Sequence, residues 1–194
     1  MIRLGVLGST KGTDLQVIID AIATNQLDAE VSLVLSNQKN AYILERAQKY
    51  SIPNQFISHK EKDRQSFDYE MTNLLREKEI DLILLIGFMR ILSGEFCLDW
   101  KNKILNVHPS LLPKYAGGMD NDIHEQVLKN GDSETGCTIH FVTKELDGGP
   151  ILIQKKCNVE KQDSPESLKK KVQGLEGEAF LEAINLFKKK TDKK

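Results

Sequence analysis

The run IDLILLIGF, residues 80–88, constrains the fold more than any other stretch of the chain. It is the most continuously apolar segment, yet it falls far short of the roughly 20 residues that cross a bilayer. A strand with one wet face alternates apolar and polar residues, whereas a strand covered on both faces reads as a continuous apolar run. Residues 80–88 therefore predict a central strand of a parallel sheet, and parallel neighbours need crossover connections, usually helices. The preceding sequence has that punctuation. Residues 2–8 and EVSLVLS, residues 30–36, are short, β-branched and apolar. Each precedes a segment of helical spacing: Leu15, Ile18, Ile19 and Ile22 after the first, AYILERAQKY after the second. A weaker strand around NQFIS leads to a predicted helix over Asp63 to Lys78, with Phe67, Met71, Leu74 and Leu75 on one face.

Beyond Pro113 the pattern changes. A glycine-rich loop, AGGMDND, and a short helix around IHEQVLKN precede two strands, GCTIHFVT and PILIQKKCNV. Only KELDGG separates these strands, too little for a crossover helix, so they should pair antiparallel. A last helix, opened by SPES and spanning Pro165 to Phe187, carries Leu168, Val172, Leu175, Ala179 and Ile184 at helical spacing. The expected fold is an α/β Rossmann-like three-layer domain with a mostly parallel, mixed central sheet over residues 1–188, followed by a Lys-rich solvated tail, 189–194.

Acidic and basic residues nearly cancel, 28 against 27, so the chain as a whole offers no field for nucleic acid or an anionic membrane. No apolar stretch is long enough to span a bilayer, and MIRLGVLG begins directly as a strand, which points to a cytoplasmic protein. Cys97, Cys137 and Cys157 are scattered, with no C-x-x-C, and read as small buried apolar residues.

In a doubly wound sheet, ligands collect beyond the carboxyl ends of the strands. After the first strand stands GSTKGTDLQ, residues 8–16. Its order is Lys-Gly-Thr rather than the Gly-Lys-Thr of a Walker A loop, and its spacing is not G-x-G-x-x-G. The second strand ends in VLSNQKN, without the acidic residue that would hold a dinucleotide ribose, so NAD is disfavoured. What remains is a glycine turn into a helix, with Thr13 and Gln16 spaced as a capping box. Its backbone N–H groups suit a phosphate, and suit an ordinary tight turn equally well. After the central strand, Gly87 permits close approach, and Phe88, Met89, Ile91 and Leu92 provide either one wall for a flat organic ligand or packing beneath the next loop.

The third strand end is ILNVHPSLLPKY, residues 104–115. Residues two apart face the same way, so Asn106 and His108 point together, and Pro109 keeps His108 extended. An amide N–H beside an imidazole suits oxyanion stabilisation and proton transfer. Asp147, in ELDGGP, stands on a bare turn where its carboxylate can orient a charged imidazole, although Asp-Gly-Gly is also a common hairpin turn. Of the other histidines, His140 reads as a core residue of a strand, His124 belongs to a helix and His59 to a charged loop. None has the spacing of a helical metal site, and no catalytic metal is expected.

Taken together and in order, GSTKGTDLQ, GFMRILS, NVHPSLLPKYAG, GCTIHFVTKELDGGPI and VQGLEGE resemble the phosphoribosylglycinamide formyltransferases of the folate-dependent formyltransferase superfamily. The resemblance runs over essentially the whole chain. It implies transfer of a formyl group from 10-formyltetrahydrofolate to the amine of glycinamide ribonucleotide, with small-molecule substrates, no metal, and a monomer or homodimer. It further implies that Asn106 and His108 stabilise the tetrahedral oxyanion and that Asp147 assists proton transfer. Gly12, Thr13 and Asp14 would hold the ribose phosphate, Gly87 would lie by the glycinamide arm, and Glu176 would take the ribose hydroxyls. Met89, Arg90, Ile91 and Leu92, with the loop from Thr143 through Leu146 to Asp147, would line the pterin pocket. Residues 1–100 would be the phosphate-binding half of one formyltransferase domain and residues 101–188 its catalytic and folate-binding half.

Related enzymes with an added C-terminal or N-terminal domain are a poorer match for a chain of 194 residues. Two departures from the family pattern stand out. Gly-Thr-Asp replaces a frequent Gly-Ser-Asn in the first turn, so Asp14 brings a carboxylate to the expected phosphate site. The loop AGGMDNDIH is longer than a frequent version of it, and of that version's two histidines only the last has a counterpart, His124. A 10-formyltetrahydrofolate hydrolase and a non-catalytic nucleotide-binding module remain alternatives. Only the enzyme readings require Asn106, His108 and Asp147 to converge.

Overall fold

The computed structural model describes residues 1–118 and 120–191. Seven strands, β1 (Ile2–Leu7), β2 (Ala29–Ser36), β3 (Asn54–Phe56), β4 (Leu82–Leu85), β5 (Ile104–His108), β6 (Glu134–Phe141) and β7 (Ile151–Asn158), lie in the order β3-β2-β1-β4-β5-β6-β7. The helices are α1 (Thr13–Ala23), α2 (Tyr42–Lys49), α3 (Arg64–Glu77), α4 (Gly94–Asp99), α5 (Asp120–Lys129) and α6 (Pro165–Thr191). β1 pairs in parallel with β2 and β4, β2 pairs in parallel with β3, and β6 pairs antiparallel with β7, so the sheet is mixed and Rossmann-like. The chain divides into two compact units, Met1–Leu105 with Val142–Lys144, and Asn106–Phe141 with Glu145–Lys194.

In the first unit, every residue of β4 is buried, as its unbroken apolar run requires. Phe67, Met71 and Leu75 on one face of α3 pack with Leu7, Leu33, Leu35, Ile83 and Leu85. Phe67 is wholly buried, and truncating a phenylalanine in such a core costs about 3–5 kcal/mol. Asp63 caps α3 by accepting the Ser66 N–H at 2.7 Å, which is why the helix starts there. The six-residue α4 was not foreseen. It is too short to show a period, but its start signal is local, the Ser93 hydroxyl accepting the Phe96 N–H at 3.1 Å.

In the second unit, β6 and β7 pair from Glu134 opposite Asn158 to His140 opposite Ile151, with an irregularity between Ile139 and His140. Ile123 and Val127 of α5 pack with Leu168 of α6, and Tyr115 lies against this cluster. α6 continues to Thr191 rather than stopping at Phe187, so Lys188, Lys189 and Lys190 form its last turn, where cations suit the helix dipole. Met119 of the long loop and residues 192–194 of the expected tail lie outside the described residues. Cys97 and Cys137 are buried and Cys157 is half-buried.

Candidate active site

The turn after β1 is built mainly from backbone. The Gly8 N–H donates to the Leu35 carbonyl and the Ser9 N–H to the Gly87 carbonyl, each at 3.0 Å. Gly12 holds φ at 65°, and a Cβ there would lie 2.4 Å from Ile43, so the position demands glycine on two counts. Gly12 itself is the N-cap of α1, Thr13 is already its first residue, and no side chain caps the helix. This corrects the capping box expected between Thr13 and Gln16. The Gln16 amide instead donates to Asp20 at 2.7 Å and to the Tyr50 hydroxyl at 2.9 Å. Asp14 is buried in the first turn, only 4% exposed, and burial pushes its carboxyl up to about 7.

The segment after β4 is pinned by main chain and buried polar groups. Gly87 has φ 58°, and an added Cβ would meet the Thr10 hydroxyl at 2.4 Å. The Ser9 hydroxyl accepts the Met89 N–H at 2.8 Å and donates to Asn37 Oδ1 at 2.6 Å. Asp68 accepts the Ser93 N–H at 2.6 Å. With both ends fixed, the side chains sort themselves. Met89 and Ile91 are exposed, Leu92 is buried in the first unit's core, and the Arg90 guanidinium stacks 4.5 Å from the Phe67 ring centre. Thr143 follows β6, Leu146 is exposed, and Glu176 is buried on α6.

A side-chain cluster forms at the end of β5, wholly within the second unit. His108 Nδ1 stands 3.4 Å from Asp147 Oδ2, and its Nε2 lies 3.0 Å from the Tyr115 carbonyl. The Asn106 amide nitrogen is 3.1 Å from His140 Nε2, which is in turn 3.5 Å from Asp147 Oδ1. The Gly117 N–H donates to Asp147 Oδ2 at 2.8 Å. Asn106, His108 and Asp147 thus join in one network, and the residue joining them is His140. This corrects its reading as a core residue. It is buried in a strand as expected, but its ring serves the cluster. Thr138, two residues earlier on the same face of β6, is tied to the same loop. Its hydroxyl donates to the Ser110 carbonyl at 2.6 Å and accepts the Leu112 N–H at 3.0 Å.

Partners assign the protons. The Tyr115 carbonyl and the Asp147 carboxylate both only accept, and the carbonyl makes the shorter contact, 3.0 Å against 3.4 Å, so we assign the proton of the neutral His108 ring to Nε2 and leave Nδ1 toward Asp147. By the same rule His140 is protonated on Nδ1, 3.1 Å from the Phe141 carbonyl, and its Nε2 accepts one N–H of Asn106. The second N–H of Asn106 is left for a ligand. Burial pushes the His108 imidazole below its ordinary value, against the pull of the Asp147 carboxylate and the Tyr115 carbonyl. Burial also raises Asp147, but the positive charge that the His140 and His108 rings can carry beside it, with the Gly117 N–H, outweighs burial and holds the carboxyl below its usual range. Asp147 is therefore ionised at neutral pH beside a ring poised to accept a proton at Nδ1. Among the described residues, no group of three or more His, Cys, Asp or Glu is arranged to hold a metal ion.

Residues 2–184 match the formyl transferase family. The chain belongs to the formyl transferase family. It is 41% identical over 183 residues to the phosphoribosylglycinamide formyltransferase of Escherichia coli strain K12, covering 94% of this chain and 85% of that one. It is also 40% identical over 185 residues to the bovine trifunctional purine biosynthetic protein adenosine-3, but spans only 18% of that much longer protein. Among solved structures, glycinamide ribonucleotide transformylase 1 of Symbiobacterium toebii matches with a TM-score of 0.91 at 37% identity, over 96% of this chain and 87% of that one. For a formyl transferase, the cluster at β5 has the parts that acyl transfer needs: a free amide donor, a histidine and an ionised carboxylate. No described helix is long and apolar enough to cross a membrane.

Proposed function

We propose that this formyl transferase moves the formyl group of 10-formyltetrahydrofolate to the primary amine of glycinamide ribonucleotide. The observation that carries the reading is the buried network of Asn106, His108, His140 and Asp147 in a chain of this family. The amine attacks the formyl carbon, forming the new C–N bond as the carbonyl electron pair moves onto oxygen. The spare N–H of Asn106 stabilises that oxyanion, joined by His108 once its Nδ1 has taken up the proton that the attacking amine releases. The 3.4 Å gap between Nδ1 and Asp147 exceeds an ordinary hydrogen bond, so this nitrogen can serve a third atom. Collapse breaks the bond to the folate nitrogen. The proton that leaves the attacking amine passes to His108 Nδ1, directly or by way of the ionised Asp147, and the imidazolium, steadied by that carboxylate, delivers it to the departing folate nitrogen. The substrate supplies its own nucleophile, so no serine or cysteine is required.

Gly12, Thr13 and Asp14 are assigned to the ribose phosphate, Gly87 to the glycinamide arm and Glu176 to the ribose hydroxyls. Met89, Arg90, Ile91, Leu92, Thr143 and Leu146 are assigned to the folate. The exposed apolar side chains of Met89 and Ile91 on a pinned backbone fit a flat, partly apolar ligand. Residues 1–100 form the phosphate-binding half and residues 101–188 the catalytic and folate-binding half of one domain, acting in the cytoplasm as a monomer or homodimer. The buried carboxylate of Asp14 favours one rival, hydrolysis of the formyl-folate by water. Tetrahydrofolate release, followed by absorbance with and without the ribonucleotide, separates them. Release that depends on the ribonucleotide is expected. Release without it establishes the hydrolase, and no release in either condition overturns both.

A further inference from the structure

The His108 ring is held at Nε2, and what holds it there is itself held from farther away. The hold comes from the Tyr115 carbonyl, which accepts the ring N–H at 3.0 Å and the Gly118 N–H at 3.1 Å. Tyr115 reaches this position with φ 61°, a left-handed conformation that bulky residues rarely adopt and that surrounding structure must hold in place. The phenol is where it is held. Its hydroxyl donates to Asp132 Oδ2 at 2.7 Å and accepts from the Asn130 amide at 2.9 Å. Lys114 Nζ fixes the other oxygen of Asp132 at 2.6 Å, and the tyrosine ring packs on the Ile123, Val127 and Leu168 cluster. The turn that presents Asn130 and Asp132 is closed by the Gly131 N–H to the Leu128 carbonyl at 3.1 Å and the Asp132 N–H to the Val127 carbonyl at 3.2 Å.

We propose that Tyr115 is a positioning residue for His108: the clamp on its phenol by Asp132 and Asn130 sets the backbone carbonyl that decides which imidazole nitrogen is left for the reaction. The inference rests on the transfer reading for its effect on turnover, but its effect on the ring stands independently. With Nε2–H committed to Tyr115, Nδ1 is the working nitrogen and faces Asp147. If the clamp is released, Tyr115 can relax from its left-handed conformation and turn its carbonyl away. The neutral ring then loses its preference, and part of the population carries its proton on Nδ1, where it can no longer take one. Outer partners that orient metal-bound histidines change activity by roughly 10–100-fold when removed, and the same orienting role at a histidine without metal sets the scale here. The clamp's charge states suit the task. Lys114 holds the Asp132 carboxyl below its usual range, and burial, with Asp132 beside it, keeps the Tyr115 phenol protonated as a donor.

The test is Tyr115→Phe in the full chain, read by nitrogen-15 NMR of the histidine rings, with the His108 signals assigned by their loss in His108→Asn. Wild-type neutral His108 should show the Nε2–H form. In Tyr115→Phe that form should give way to a mixture, with kcat falling roughly 10-fold and KM for either substrate changing less than the turnover. Asp132→Asn, which keeps the tyrosine and one acceptor oxygen, should give a smaller shift in the same direction and covers failure of the first variant to fold. A folded variant with an unchanged Nε2–H form overturns the inference, as does a changed form with unchanged kcat. If the wild type shows no formyl transfer but the ring form shifts, the transfer reading falls and the hold of Tyr115 on His108 stands.

Discussion

The turn after β1 and the cluster after β5 both lie at carboxyl ends of strands, but they are made of different material. The turn is main chain: N–H groups and carbonyls, a glycine at φ 65° and a helix start with no capping side chain. The cluster is side chain: an amide, two imidazoles and a carboxylate, each held by a named partner. A site of the first kind tolerates changed side chains as long as the backbone keeps its path, and is disturbed mainly through charge. A site of the second kind fails when any one group is lost. The two regions should therefore respond differently to substitution, the cluster in turnover and the turn in binding.

The largest effect is expected from His108→Ala, which should lower kcat by about two to four orders of magnitude while the chain still folds. Steady-state kinetics beside a thermal melt checks it, and unchanged turnover in a folded variant removes His108 from the mechanism. Asp147→Asn comes next, with kcat down about 100-fold, because the amide cannot accept a proton or favour the charged imidazole. Both groups titrate below their ordinary values of 6.5 and 3.8 in the folded chain, so on acidification the unfolded chain takes up protons first. The stability these two groups contribute should fall as pH drops below 6.5, first through His108 and later, below 3.8, through Asp147, opposite in sign to the contribution of Asp14 over the same range. Denaturant titrations across this range should show the first limb vanish in His108→Ala.

Asp14 breaks the rule that the turn is indifferent to side chains, and it does so through charge. Its folded value of about 7 lies above the ordinary 3.8, so the folded chain holds the proton longer than the unfolded one. Stability contributed this way is complete below pH 3.8 and is lost as pH rises through about 7. Asp14→Asn should remove the loss, raising stability at pH 8 by on the order of 2–4 kcal/mol and leaving it nearly unchanged at pH 4. The same change should lower KM for the ribonucleotide by about tenfold at pH 8, through removal of one like charge from the proposed phosphate site, and by less at pH 6. An effect on kcat instead would mean that the turn takes part in the chemistry.

The same contrast explains what was legible in the sequence. β4 and the longer helices α1 and α3 were readable because burial on both faces and a 3.6-residue period leave marks in residue type. Asn106 and His108 were readable because a two-residue spacing at a strand end puts both on one face. His140 was not, since a histidine inside an apolar strand looks the same whether its ring meets core or cluster, and the partner that decides, Asp147, arrives through a turn at φ 51°. Gly117 and Tyr115 were missed for a related reason. Their work is done by an N–H and a carbonyl, and side-chain chemistry does not report on either. The false capping box at Thr13 has the same root, because Gly12 takes the cap position by backbone conformation alone.

The smallest effect should come where pinned main chain carries free side chains, the segment after β4. The Met89 N–H is held by Ser9, while the Met89 side chain is 52% exposed and available to a ligand. Met89→Ala should leave the melting temperature unchanged and raise KM for the formyl-folate by about 3–10-fold, the equivalent of burying part of one apolar side chain on binding. Leu92, three residues on, is 8% exposed and packs in the core, so Leu92→Ala should instead cost about 2–4 kcal/mol of stability. Ser9→Ala separates anchor from side chain. It removes the acceptor for the Met89 N–H without touching an apolar contact, so a rise in KM similar to that of Met89→Ala would show that backbone placement, rather than methionine itself, shapes this wall. A rise in Met89→Ala alone would make the wall a side-chain surface and bring this segment closer in kind to the cluster at β5 than to the turn after β1.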